Sequence, residues 1–210
     1  MAVEILNIDC MDYMKTLPDN AFDLAIVDPP YGLNIDGQKE SKKGKKSDRK
    51  NHEFKGWDSE IPTKKYFTEL QRVSKNQIIW GANYFVEHLT KGTKGWIVWD
   101  KQQHGLTMSD CELAYSSFQY PTRVFLQNRC ILMQEGTIHP TQKPVKLYQW
   151  LLDKYAKPGD KILDTHLGSG SSAIAAHYAG FDFVGVELDK HYYDLACERF
   201  KRDTAQLDMF

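Results

Sequence analysis

Apolar and polar positions follow two rhythms along this chain. Short, almost unbroken apolar runs occur at Phe22-Asp23-Leu24-Ala25-Ile26-Val27, Ile78-Ile79-Trp80-Gly81, Trp96-Ile97-Val98-Trp99 and Lys161-Ile162-Leu163. Further runs at 112–116, 122–126 and 181–186 bring the predicted strands to seven. Between them, apolar residues recur every three or four positions. Tyr66, Phe67, Leu70 and Val73 mark a helix over 64–73, and 145–155 begins directly after Pro144, a residue suited to a helix start. Helices are also predicted over 171–178 and 189–202, with a short one around 83–89. Strands that are apolar on both faces and separated by helices imply an α/β fold: a seven-stranded, mostly parallel sheet covered on both sides. No repeat and no linker divides the chain, so residues 1–210 read as a single domain.

Composition agrees. A chain of 210 residues buries roughly 70% of its unfolded surface, enough for a full core without staples. Apolar residues make up 41% and charged residues 26%, and the mean hydropathy is −0.54. With no apolar run near membrane-spanning length, no membrane association is expected. The first ten residues lack a basic segment leading into an apolar one, so no secretory signal is read there. Cys10, Cys111, Cys130 and Cys197 form no C-x-x-C pair, which argues against zinc and disulfides and for a reducing cytoplasm. His52, His104, His166 and His177 show no metal spacing, so no metal is expected. Trp80, Tyr84, Phe85, Trp96 and Trp99 read as core rather than as a ligand pocket, because the tryptophans sit in apolar runs.

Charge alters the picture. The formal net charge of −1 argues against a polyanionic partner, but it is an average. The stretch Lys39 to Lys50, KESKKGKKSDRK, carries seven basic residues against Glu40 and Asp48, which is +5 and leaves −6 for the rest. Such a run is either a solvated loop (about 36–58) or a polyphosphate-binding arm with salt-dependent affinity. It begins eight residues after Tyr31.

Two turns carry the chemistry. Asp164-Thr165-His166-Leu167-Gly168-Ser169-Gly170-Ser171 joins a strand to a helix, where glycines and unpaired N–H groups favour a close ligand. Glu187 ends the next strand, the place for an acid that accepts from two ribose hydroxyls. A dinucleotide fold expects a third glycine, and Ser171-Ser172-Ala173 supplies none. The other turn, Asp28-Pro29-Pro30-Tyr31, follows a buried strand. Its prolines present carbonyls without N–H groups, between an acid and an aromatic ring. That arrangement can accept two hydrogen bonds from one exocyclic amino group while the ring stacks on the attached base.

Here the sequence resembles the amino-methylating, S-adenosylmethionine-dependent DNA methyltransferases of the β-class, N6-adenine type. Asp28 to Tyr31 matches their catalytic motif, and Asp at its head favours adenine N6 over cytosine N4. Asp9-Cys10, Leu17-Pro18-Asp19-Asn20 and Phe22-Asp23-Leu24 match the lead-in, His139-Pro140-Thr141-Gln142-Lys143-Pro144 the H-P-x-x-K-P element, and 164–170 the cofactor loop. His166-Leu167 stands where Pro or Phe is commoner. The resemblance implies a class I, Rossmann-like fold and cofactor contacts from Asp9, Cys10, Asp28, His139, Thr141, Lys143 and Pro144. Further contacts would come from Asp164, Leu167, Gly168, Ser169, Gly170, Ser171, Glu187 and Leu188. It also implies catalysis by Asp28, Pro29, Pro30 and Tyr31 on an adenine flipped out of double-stranded DNA.

The expected target-recognition segment, about 100–137, is short. Recognition is therefore minimal, shared with the basic run, or completed by a second subunit in a homodimer. Lys42, Lys43, Lys45, Lys46, Arg49, Lys50 and Arg123 are candidate DNA contacts. In the tail 204–210, Gln206, Leu207, Met209 and Phe210 resemble the peptide by which bacterial replication proteins bind the sliding clamp. A frayed tail tucked on the core is the plainer reading. Alternatives are a methyltransferase acting on RNA adenine, cytosine N4 or a protein glutamine, a nucleotide-binding oxidoreductase, and an inactive binding module.

Overall fold

The computed structural model describes residues 1–35, 55–89, 92–105, 109–128 and 137–205. The basic run with Lys42, Lys43, Lys45, Lys46, Arg49 and Lys50, the tail residues Gln206, Leu207, Met209 and Phe210, His52 and Cys130 lie outside the described residues.

Among the described residues there are eight strands: β1 (Val3–Asn7), β2 (Phe22–Val27), β3 (Ser74–Trp80), β4 (Ile97–Asp100), β5 (Cys111–Ser116), β6 (Arg123–Leu126), β7 (Lys161–Asp164) and β8 (Asp182–Glu187). They form one sheet in the order β1-β8-β7-β2-β3-β5-β4-β6. The helices are α1 (Cys10–Lys15), α2 (Lys64–Val73), α3 (Val145–Tyr155), α4 (Ser171–Ala179) and α5 (Lys190–Thr204). The expected seven strands gain one: β1 lies at the sheet edge, where Glu4 and Asn7 stay exposed and dilute the apolar signal. The short helix expected around 83–89 is two 3-10 turns, Ala82–Tyr84 and Val86–His88.

Strand periodicity explains the two-sided core. Successive side chains point to opposite faces, so Leu24 and Ile26 join a cluster with Trp80, Trp99, Leu147 and Leu151 on one side. Ala25 and Val27 join Met14, Phe67, Leu70 and Phe85 on the other. Trp80, Phe85 and Trp99 are fully buried core residues, as expected, whereas Tyr84 of the same set is exposed, because it sits on the 3-10 turn beyond β3. Pairing is parallel from β1 through β3, and β5 runs antiparallel between β3 and β4. From the central pair, β7 leads through α4 to β8 on one side and β2 through α2 to β3 on the other. The crevice where the order reverses, outside the strands' carboxyl ends, is where ligands bind in such sheets. Asp28 lines it, and the buried Asp164 ends β7 one layer behind it. No helix among the described residues is long and apolar enough to cross a membrane.

Candidate active site

The turn after β2 is held from three directions. Its prolines end the strand, and the buried carboxylate of Asp58 gathers the backbone that follows. Asp58 accepts from Tyr31 N at 2.7 Å, Gly32 N at 3.0 Å and Ile35 N at 3.0 Å. Gly81, at φ +67°, lets the Tyr31 ring lie against backbone: a Cβ there would stand 2.0 Å from Tyr31 Cε1. The ring also stacks on Tyr84, with centroids 5.1 Å apart.

A charge network closes around Asp28. Tyr31 Oη donates to Asp28 Oδ1 at 2.5 Å, and Lys143 Nζ donates to Asp28 Oδ2. Lys143 Nζ also lies 3.2 Å from Tyr31 Oη and 3.1 Å from Glu112 Oε2. Glu112 Oε1 pairs with Lys101 at 2.8 Å. Two carboxylates therefore face two ammonium groups, a neutral set that suits a buried position. Burial and the Glu112 charge raise the Asp28 carboxyl against the pull of Lys143. Burial also works on Glu112, yet Lys143 and Lys101 outweigh it and hold that carboxyl down at about 2. Burial, then the charges of Asp28 and Glu112, push the Tyr31 phenol well up, so it remains a hydrogen-bond donor.

Two cavities meet at this network. One, of about 490 Å³, is walled by Asp9, the loop 165–169, Glu187, Leu188 and His139. The other, of about 510 Å³, is walled by Pro29, Tyr31, Tyr84, Lys101 and Glu112. Asp28, Pro30, Trp57, Thr141, Gln142 and Lys143 line both. In the first cavity the Glu187 carboxylate is oriented by Gly168 N at 2.8 Å and Asp189 N at 2.9 Å. Asp9 caps α1 through one oxygen, accepting from Met11 N and Asp12 N. His139 is fixed by Thr141 Oγ1 at 3.1 Å and by the rings of Trp57 and Tyr192. Lys55 bonds Asp189 at 2.8 Å, so segment 55–57 walls this cavity too.

A nucleoside-bearing cofactor fits this cavity on its own chemistry. The Gln142 side chain is buried, its Nε2 has no hydrogen-bond partner, and the indole N–H of Trp57 is likewise unpaired. Such donors, at the wall the two cavities share, suit a ligand that brings acceptors. Gly168, at φ +52°, makes the turn that brings its N–H to Glu187 at 2.8 Å.

The structure brings Asp9, Cys10, Asp28, His139, Thr141, Lys143, Leu167, Gly168, Ser169, Glu187 and Leu188 to the first cavity. Lys143 nonetheless spends its charge on Asp28 and Glu112 rather than on a cofactor. Asp164, Gly170 and Ser171 stand one layer back. Asp164 accepts from Ser172 Oγ at 2.6 Å, and Ser171 Oγ meets Arg199 at 2.9 Å. Pro144 caps α3 and lines neither cavity. Arg123 starts β6 at the opposite end of the sheet and is not brought to the site. Sequence reasoning missed Glu112, Lys101 and Asp58, which the fold recruits from distant segments. It also missed Gln142, whose signal lay inside His139 to Pro144.

Comparison with known proteins adds the following. A family model described as DNA methylase, of N6/N4 type, matches residues 113–198. The type II methyltransferase M.HinfI of Haemophilus influenzae is 25% identical over 94% of this chain and 68% of its own length. The solved structure of an M1.HpyAVI–SAM complex superposes with a TM-score of 0.61 at 19% identity, over 94% of this chain and all of that one. The PvuII cytosine-N4-specific DNA methyltransferase gives 0.62 at 11% identity, over 99% and 92%.

Proposed function

We infer that this chain, a DNA methyltransferase of the amino-methylating N6/N4 type, acts on adenine N6 at specific sites in double-stranded DNA. The observation that carries the reading is the junction of the two cavities at Asp28 and Pro30. There an acceptor carboxylate and a proline turn lie between a cofactor-sized space and an aromatic-walled one.

S-adenosylmethionine is the methyl donor, and bound in the first cavity it supplies an electrophilic methyl group. Glu187 would hold ribose hydroxyls, Asp9 and Cys10 the adenine end, and His139 and Thr141 the methionine end. The second cavity, walled by the stacked rings of Tyr31 and Tyr84, would receive a flipped base. The amino lone pair of adenine is delocalised into its ring. Hydrogen bonds from both amino protons, to Asp28 and to the Pro29 carbonyl, favour the pyramidal nitrogen that exposes it. Asp28 then takes the surplus proton, and its raised carboxyl pKa makes it a better proton acceptor than an exposed aspartate. Fixed dipoles and positioning supply most of the rate.

Asp at the head of the turn favours adenine over cytosine N4, and the likeness to the PvuII enzyme makes cytosine N4 the second reading. The basic run would serve DNA binding, the chain would act beside DNA in the cytoplasm, and a second copy would extend recognition. Clamp tethering through Gln206 to Phe210 rests on sequence alone; a pull-down unaffected by deleting 206–210 would sink it. Tritiated methyl transfer to DNA, RNA and protein in parallel tests the function. Label in DNA alone is expected, and label confined to RNA or protein would overturn the reading.

A further inference from the structure

Both oxygens of Asp28 are already taken, one by Tyr31 Oη and one by Lys143 Nζ. Each oxygen keeps a lone pair for an incoming amino group, but an oxygen that carries a donor is a poorer proton acceptor, so releasing one donor strengthens Asp28 as the base. Tyr31 is held on Gly81 and Tyr84, whereas Lys143 has a second carboxylate at hand. Glu112 Oε2 already pairs with Lys143 Nζ at 3.1 Å, the longer of that ammonium's two carboxylate contacts. The other oxygen of Glu112 is anchored by Lys101. A small shift of the Lys143 side chain would shorten its Glu112 contact and release Asp28 Oδ2 without stranding an ammonium in the interior.

We propose that Glu112 is a positioning residue for the transfer reaction: it receives Lys143 while Asp28 accepts the target's amino proton, with Lys101 holding it in place. This rests on the methyltransferase reading above. Among the described residues, the ionisable groups that face Asp28 are Lys143 from the loop before α3, Glu112 from β5, Tyr31 from its own turn, Tyr66 from α2, Tyr148 from α3 and Asp164 from β7. Without Glu112 the whole Lys143 charge falls on Asp28 and makes it a weaker base.

The experiment measures kcat, its pH profile and S-adenosylmethionine binding for Glu112→Gln, Glu112→Asp and the double variant Glu112→Gln/Lys101→Met. Glu112→Gln is expected to lower kcat about 10- to 100-fold, the weight of one charge-assisted hydrogen bond. Its acid limb should move to lower pH and its cofactor affinity stay unchanged. Glu112→Asp should recover part of the rate. The double variant removes the ammonium that the single one strands, so it tests the idea if the single variant fails to fold, and it should keep the low kcat. A rate within twofold of wild type, an acid limb that does not move, or a double variant with restored kcat would overturn the proposal. A wild-type protein that transfers no methyl group to DNA would instead overturn the functional reading.

Discussion

Gly81→Ala tests how the Tyr31 ring is seated. The new Cβ would stand 2.0, 2.4 and 2.5 Å from Cε1, Cδ1 and Cζ of that ring, so the ring must retreat by about 1.5 Å to ordinary contact. Two costs add. Alanine at φ +67° carries the left-handed penalty, about 1–2 kcal/mol, and overpacking adds about 1–3 kcal/mol. The sum, about 2–5 kcal/mol, corresponds to a fall in Tm of about 4–20 °C for a domain of this size. The retreat also draws Tyr31 Oη from Asp28 and the ring from Tyr84, and a misplacement near 1 Å costs about 100-fold in rate. Cofactor binding, on the other side of Asp28, should persist. A double-mutant cycle with Tyr31→Ala separates the costs. In that background Gly81→Ala should cost only the backbone share, so the coupling is about 1–3 kcal/mol. Strictly additive losses, or an alanine variant as stable and active as wild type, would refute the seating of Tyr31 on Gly81.

Further outcomes follow from other groups. Asp28→Ala should abolish methyl transfer and leave cofactor affinity within a few-fold, because Lys143 keeps Glu112 as its counter-charge; isothermal titration and turnover measure both. Glu187→Ala should weaken cofactor binding by about 10- to 100-fold, through the lost ligand contacts and the freed Gly168 and Asp189 N–H groups; calorimetry reads it. Two buried groups oppose each other in pH. Burial raises the Asp164 carboxyl from 3.8 to about 7, so its share of stability falls as pH rises through that interval. Burial lowers His166 from 6.5 to about 4, so its share falls as pH drops through that one. Between about 4 and 6.5 the slopes offset. Denaturation of Asp164→Asn should show stability climbing from pH 4 to 6.5, and His166→Gln should show it declining from pH 4 to 7. Neutralising the lysines of 39–50 should flatten the salt dependence of DNA affinity; an unchanged slope would make the run a bystander.

What could be read from sequence was local. The strand Phe22–Val27 and the Asp28 turn that ends it are adjacent, so apolar run and proline punctuation announce both. The loop from Asp164 and the acid at Glu187 were legible for the same reason. Asp58 bonds the turn from 27 residues away, and nothing near it in the chain marks it. Glu112 looks like one polar position in a strand, and only the antiparallel entry of β5 beside β3 and β4 brings it to Lys143 and Lys101. Lys143 belonged to a recognised motif, but its charge partners depend on that same insertion. Trp80 and Trp99 needed no such help, since their apolar runs already placed them in the core.

The most direct test is nucleoside analysis of DNA methylated by the purified protein, beside the Asp28→Ala variant. Digestion and mass spectrometry should find N6-methyl-2′-deoxyadenosine with the wild type and none with the variant. Methyl groups on cytosine N4, or N6-methyladenine that survives the loss of Asp28, would contradict the reaction assigned to this site.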